Sequence, residues 1–293
     1  MARAIACANQ KGGVGKTTTV VNLATHLALA GDRVLVIDLD PQGNATSGFG
    51  RHGDGTLGST YEAMIDGVPL AELSVETSID SLSLIPSSVA LAGAEVELAG
   101  MDQRERRLKR LIEPIRERYD VILIDCPPSL GLLTVNALTA ADSVLIPIQA
   151  EYYALEGVSQ LIGTIQLVRE HLNPDLEIEG AVLTMSDGRT NLAADVEAEV
   201  RRHLGAAVFA TVIPRNVRLS EAPSHGLPIA KYAPGSRGAE AYRQLGDELR
   251  ARLADRSGSP RAAGADPAAS SSPTPWTAET APDDAARLVA VDS

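Results

Sequence analysis

The order of apolar runs along the chain predicts an α/β fold with a mainly parallel sheet and helices on both faces. Three observations predict it. Strand-like and helix-like runs alternate from residue 3 to residue 213. Several of the strand-like runs are apolar throughout, as strands covered on both faces are. A glycine-rich loop joins the first of these strands to a helix.

The first strand is predicted over residues 4–8, and the first helix runs from Val20 to Leu29. Between them lies Lys11-Gly12-Gly13-Val14-Gly15-Lys16-Thr17-Thr18. Gly12, Gly13 and Gly15 let the backbone take φ > 0 and approach a polyanion, so that successive N–H groups and the helix N-terminus point at phosphate oxygens. Lys16 supplies a point charge to β- and γ-phosphates, and the Thr17 hydroxyl a ligand for Mg²⁺. Val14 and Thr18 complete the stretch expected to hold a nucleotide. The run from Gly12 to Thr17 is shorter than the usual G-x-x-x-x-G-K-[ST] pattern and carries the extra Lys11 ahead of the glycines.

Gly31 closes the first helix, and residues 33–40 read as a buried strand ending in Asp38 and Asp40. Pro41 to Asn44 stops that strand, and the Gly-, Ser- and Thr-rich residues 45–58 are expected to form a mobile loop over a ligand. A short helix follows at 57–65, a strand at 82–86, a helix at 88–101 and a charged helix at 104–119. Residues 120–125 are again an apolar strand ending in an acid, Asp125, followed by Cys126-Pro127-Pro128-Ser129. The alternation continues with a helix at 132–140, a strand at 143–148, a helix at 154–171, a strand at 179–184, a helix at 193–204 and a strand at 207–213. Acids at strand C-termini collect along one edge of a parallel sheet, where such folds bind ligands. Asp125 suits a position behind the Mg²⁺ rather than on it. Asp38 has the same strand parity as Asp40 and is a second candidate for that supporting role.

The chain has 293 residues, with 26 Lys and Arg against 38 Asp and Glu. An acidic whole argues against a protein coated in basic surface, yet residues 181–255 carry 10 basic against 9 acidic residues and have room for a local arginine patch. Cys7 and Cys126 both fall in core strands and read as buried thiols rather than a disulfide or a metal site. No signal peptide and no run of membrane-spanning length is evident, so the expected compartment is the cytoplasm. The expected domains are an ATPase unit over residues 1–255 and, over 256–293, a disordered tail rich in Ala, Pro and Ser with the lone Trp276.

Residues 11–18, 38–43, 125–129 and Ile213-Pro214-Arg215-Asn216 together resemble the chromosomal ParA/Soj proteins, partitioning ATPases with the deviant P-loop of the ParA/MinD superfamily. The resemblance implies ATP and Mg²⁺ as cofactors, with hydrolysis that is weak until a ParB-type centromere-binding partner stimulates it. It implies that Asp40 orients the attacking water, that Pro214 and Asn216 lie against the adenine, and that two protomers sandwich two nucleotides. Lys11 then reaches the partner's nucleotide as an arginine finger would, and Gly12 has to be small where the two loops meet. It further implies non-specific binding of duplex DNA and a nucleoid-associated location. Arg189, Arg215, Arg218 and Arg237 are the candidate contacts, with Arg218 foremost. No stable membrane association is expected. The alternative is a MinD-like positioning ATPase, which needs a basic amphipathic C-terminal helix, whereas the end of this chain is short and acidic on balance. The related iron–sulfur reductases need a cluster-bridging cysteine pair, a role that does not suit two strand cysteines. The N-terminal DNA-binding extension of plasmid-type relatives, and the transcriptional regulation it carries, are not expected.

Overall fold

The computed structural model describes residues 2–51, 58–151, 154–187 and 191–258. At its centre β1 (Arg3–Cys7) pairs in parallel with β5 (Val121–Asp125) on one side and β6 (Ser143–Gln149) on the other. The eight strands lie in the order β3-β4-β2-β5-β1-β6-β7-β8, with β2 (Val34–Asp38), β4 (Leu82–Ile85), β7 (Glu177–Ser186) and β8 (Val208–Pro214) all parallel to their neighbours. The edge pair alone is antiparallel, where the two-residue β3 (Val75–Glu76) runs against β4.

Side-chain alternation divides the core between the two faces. Ile122, Ile124 and Cys126 point to one face. There α3 (Thr60–Asp66), α5 (Leu91–Ala99), α6 (Arg107–Ile112), α7 (Leu132–Ala140) and α8 (Ala154–His171) supply Met64, Leu98, Leu108, Leu138, Leu161 and Ile165. Leu123, Ile5 and Cys7 point to the other. That face is covered by α1 (Lys16–Leu29) through Val20, Leu23 and Leu27, and by α12 (Arg237–Gly258) through Tyr242, Leu245 and Leu249. The remaining helices are α2 (Asn44–Gly48), α4 (Leu70–Leu73), α9 (Asn191–Leu204), α10 (Val217–Glu221) and α11 (Ile229–Tyr232). No helix of the described residues is long and apolar enough to cross a membrane.

Three expectations are corrected. The stretch expected as a loop from residue 45 begins instead with α2, because Thr46 at its centre is held by buried Asp38 through both its N–H (2.8 Å) and its hydroxyl (2.6 Å); residues 52–57 lie outside the described residues. The charged helix expected over 104–119 is a short α6 between two 3₁₀ segments, Arg104–Arg106 and Glu113–Arg118. Pro114 lacks the N–H that would continue an α-helical ladder there. The body does not stop at residue 255: α12 continues to Gly258, and residues 259–293, with Trp276, lie outside the described residues.

Gly180 in β7 shows how tightly the sheet meets α12. A Cβ added there would lie 2.5 Å from Phe209 Cε2, 2.7 Å from the Ala207 carbonyl oxygen and 2.8 Å from Arg252 Nη1. Arg252 itself stacks 3.8 Å over the Phe209 ring. Gly180→Ala is therefore expected to cost about 1–3 kcal/mol through overpacking. Gly163→Ala in α8, where an added Cβ meets nothing within 4 Å, is expected to gain about 0.5–1 kcal/mol. Urea unfolding of the two variants checks the opposite signs.

Candidate functional site

The loop from β1 to α1 is open to a ligand and fixed from behind. Gly13 and Gly15 take φ of 75° and 88°, and Gly15 opens α1 with no side chain capping it. The first helical bond is Thr19 N–H to the Gly15 carbonyl (2.9 Å), and the N–H groups of residues 13–18 find no acceptor among the described residues. Such a run, at the positive end of a 14-residue helix, is an anion cradle. Lys16 is almost wholly buried beneath it, its Nζ donating to the Lys11 carbonyl at 3.3 Å.

Four anchors hold the loop in this shape. Asn9 Nδ2 donates to the Pro147 carbonyl (2.8 Å), and its Oδ1 accepts from Lys11 N–H (3.0 Å). Thr184 at the end of β7 donates its hydroxyl to the Val14 carbonyl (2.8 Å), beside Met185, a non-glycine residue at φ 53°. The Thr19 hydroxyl shares a buried hydrogen bond of 3.2 Å with Tyr242 of α12. Asn22 donates to the Thr18 carbonyl and accepts from Ile229 N–H, each at 2.7 Å, tying α11 to the first turns of α1. Sequence reasoning placed none of these four. Asn9 and Thr19 sit beside the motif it recognised, but Thr184 reaches the loop through sheet order, and Tyr242 and Ile229 through the packing of α12 and α11 against α1.

The strand-end acids divide their roles. Asp38 and Asp125 face each other in register on β2 and β5, both fully buried. Asp38 accepts from Asp40 N–H at Oδ1 (3.2 Å) and twice from Thr46 at Oδ2. Burial nevertheless outweighs those bonds and pushes its carboxyl up to about 6. Neither oxygen of Asp125 has a hydrogen-bond partner; the Thr17 hydroxyl approaches without reaching hydrogen-bonding geometry. Burial, and then the charge of Asp38, raises its carboxyl well above the usual range. Asp38 is thus committed to the protein, and Asp125 is the carboxylate left with open oxygens. Asp40, also buried, is held by Gln42 N–H on Oδ1 (3.0 Å) and by Ser87 on its own carbonyl (2.7 Å).

Lys11 points away from the cradle, its Nζ 3.4 Å from Glu151 Oε2. The same carboxylate lies 3.8 Å from Arg215 Nη2. Gly12 is not crowded within the chain, since a Cβ there would meet only Pro128 at 4.0 Å. Pro214 ends β8 on the same sheet edge, three strand spacings or roughly 14 Å from β1. Asn216 caps α10, its Oδ1 accepting Arg218 N–H at 2.9 Å. Arg218 is exposed and pairs with Glu221 at 2.8 Å, an oxygen that also accepts the Tyr232 hydroxyl at 3.1 Å. Arg237 is exposed at the start of α12, and Arg189 lies outside the described residues. Cys7 and Cys126 point to opposite faces of the sheet, so they cannot share a disulfide or a cluster with each other.

A family model described as an AAA domain matches residues 2–178. The chain is 56% identical over 251 residues to the sporulation initiation inhibitor protein Soj of Bacillus subtilis, covering 86% of this chain and 99% of that one. It is 54% identical over 251 residues to the chromosome-partitioning ATPase Soj of Thermus thermophilus, covering 86% and 96%. Among solved structures it is similar, with a TM-score of 0.77 and 39% identity over 87% of this chain and 97% of the other, to a Mycobacterium smegmatis protein described as cobyrinic acid a,c-diamide synthase with bound ADP and magnesium. The partitioning relatives share far more of the sequence: the chain belongs to the ParA/Soj family of chromosome-partitioning ATPases.

Proposed function

We propose that this chain is an ATP-hydrolysing DNA-partitioning protein that binds Mg²⁺-ATP in the β1–α1 cradle, dimerises on it, and binds duplex DNA without sequence preference until a ParB-type partner triggers hydrolysis. The observation that carries the reading is the unbonded run of N–H groups over buried Lys16, with the open carboxylate of Asp125 on the same sheet edge. Among the described residues no three His, Cys, Asp or Glu side chains converge to cage a metal. That suits Mg²⁺, which is commonly held by few protein groups together with substrate phosphates. Thr17 would hold the ion directly, with Asp125 as its supporting carboxylate, and the ion would supply charge neutralisation for the transferring phosphoryl group.

The chain's own residues do the rest. The amides of residues 13–18 and Lys16 bind and orient the phosphates. Asp40 positions the attacking water, its carboxylate held in place by Gln42 N–H. Pro214 and Asn216 receive the adenine; because the Asn216 oxygen is taken by Arg218 N–H, its amide NH₂ is the end left for the base. Lys11, outside its own cradle and half-buried beside Glu151, is the residue assigned to the partner's site.

Removing a buried charge that has no partner should stabilise the empty protein. A carboxyl raised above its unfolded value contributes stability that is full below the unfolded pKa and is lost as pH rises through the folded value. For Asp125, raised well above the ordinary 3.8, that stability is full below the ordinary value and is lost as pH rises beyond it. Asp125→Asn is therefore expected to raise the nucleotide-free unfolding midpoint by a few degrees at neutral pH, at about 2–4 °C per kcal/mol. It should also flatten the loss of stability across the acidic range and abolish Mg²⁺-dependent ATP binding. Calorimetry from pH 4 to 8 checks this, and a lower midpoint at pH 7 would count against it.

Asp40→Ala is expected to keep ATP and lower turnover at least 100-fold, leaving a long-lived dimer, because water positioning acts on the transition state. Gly12→Val, at a site uncrowded within the chain, is expected to keep ATP binding and lose the dimer. Sedimentation with ATP separates the two: an Asp40→Ala monomer, or a Gly12→Val dimer, refutes the roles assigned.

DNA retention is expected to depend on ATP and fall steeply with salt. Arg218→Glu should lose it while keeping ATP-dependent dimerisation. Glu221→Gln, which frees Arg218 from its internal carboxylate, should strengthen retention several-fold at constant salt. Equal retention with and without ATP would refute the coupling to nucleotide, and binding to anionic vesicles with none to DNA would replace this reading with the membrane one.

A further inference from the structure

The densest basic stretch in this acidic chain is not among the arginines considered above. Residues 104–118 hold seven Lys or Arg and three acids. Some of the seven are used internally. Arg107 donates to the Met64 and Ile65 carbonyls at the end of α3, Arg104 pairs with Glu105, and Arg116 with Asp142. Leu108 and Ile112 bury one side of α6 in the core. That leaves Arg106, the last residue of the 3₁₀ segment and the cap of α6, and Lys109 half-buried, and Arg110 exposed, at i, i+3 and i+4 on the side away from the core. Among the described residues none of these three has a carboxylate partner, and Arg110 reaches only the amide oxygen of Gln103. Arg118, exposed at the end of the following 3₁₀ segment, has none either.

Like charges at this spacing repel and add nothing to the fold. Arg218 and Arg215, by contrast, each lie within ion-pair distance of an internal carboxylate. From this geometry we propose that the outward face of α6, through Arg106, Lys109 and Arg110, is a second phosphate-backbone contact for duplex DNA. It rests on the DNA reading given above. It lies on the opposite face of the sheet from the C-terminal segment that carries Arg218: α6 packs into the core cluster of Leu138 and Leu161, while Leu219, Ala222 and Ile229 pack into that of Leu23 and Leu27. One protomer can therefore engage two duplex segments, one on each side of its sheet. Neither surface reads bases, because flexible cations on a short helix neutralise phosphates without fixing a register.

The test uses the full chain with ATP on immobilised duplex of arbitrary sequence, across a salt titration. Arg106→Glu/Lys109→Glu/Arg110→Glu is expected to lower retention at least tenfold and flatten the slope of log K against log salt by about 2–3, while ATP-dependent dimerisation and thermal unfolding stay as in wild type. Arg106→Lys/Arg110→Lys should restore both, since a phosphate needs charge and not a fork. Wild type, but not the triple Glu variant, should capture a second labelled duplex onto the first. If the triple variant unfolds, Lys109→Gln/Arg110→Gln gives the same comparison with a flattening of about 2. Retention and slope unchanged by these substitutions overturn this inference alone. No retention by wild type with ATP overturns the DNA reading as well, and phosphatidylglycerol vesicles bound through α6 with DNA unaffected would assign the face to membranes instead.

Discussion

A run of backbone N–H groups with nothing to bond is the constraint on which the rest of this structure depends. Backbone donors that meet no protein acceptor must be met by solvent or a ligand, and a loop left to itself would fold in to satisfy them. Here the turn between β1 and α1 is prevented from doing so by residues from every part of the chain. Thr184 takes the Val14 carbonyl, Asn9 ties the start of the loop to β6, Tyr242 fixes Thr19, and Asn22 fastens the Ile229 segment to the first turns of the helix. Each anchor binds a group that faces away from the cradle and leaves the forward-facing donors free. The sheet order makes this achievable, because β1 lies between β5, which ends in Asp125, and β6, next to the β7 that carries Thr184 and Met185 near its end.

What was legible in the sequence follows from which signals are local. The glycine loop, the apolar strands and the helices at 132–140 and 154–171 were readable because their periodicity and punctuation lie within a few residues, and the latter two match the structure at both ends. The C-terminal helices were not read at all. In α12, Tyr242, Leu245 and Leu249 form a thin apolar stripe within a strongly charged segment, enough to pack against α1 once α1 is in place but too weak to announce itself. The loop expected from residue 45 became α2 for a similar reason: its stability comes from Asp38, eight positions earlier and buried in the sheet. A propensity reading of 45–58 sees glycines and hydroxyls and misses the carboxylate that organises them.

The acids show the same division between the readable and the hidden. Composition places Asp38, Asp40 and Asp125 at strand ends and along one sheet edge, which is as far as parity and spacing go. Only the hydrogen bonds separate their roles. Asp38 is saturated by Thr46 and Asp40 N–H and so shapes the segment after β2 rather than an ion. Asp125, in register with it and equally buried, has no partner and is strongly disfavoured as a bare anion. A fold retains such a group when a cation is to arrive beside it, since an opposite charge within a few ångströms reverses the burial penalty.

Charge over the whole chain gives the same logic at a larger scale. With 38 acids against 26 basic residues, most cations on this surface have a carboxylate within reach, and the salt bridges of α12 show how readily they pair. A phosphate competing for Arg218 must displace Glu221 and Tyr232 first, so that arginine offers less than its full charge to an incoming polyanion. Binding built from such pre-paired arginines is weak in one protomer and gains chiefly by multiplying contacts, through a second protomer or a second face. On the DNA reading proposed above, weak, additive and salt-sensitive contact would let the chain release DNA once its nucleotide is spent. A single strong site would instead hold the chain in place after the proposed dimer had come apart.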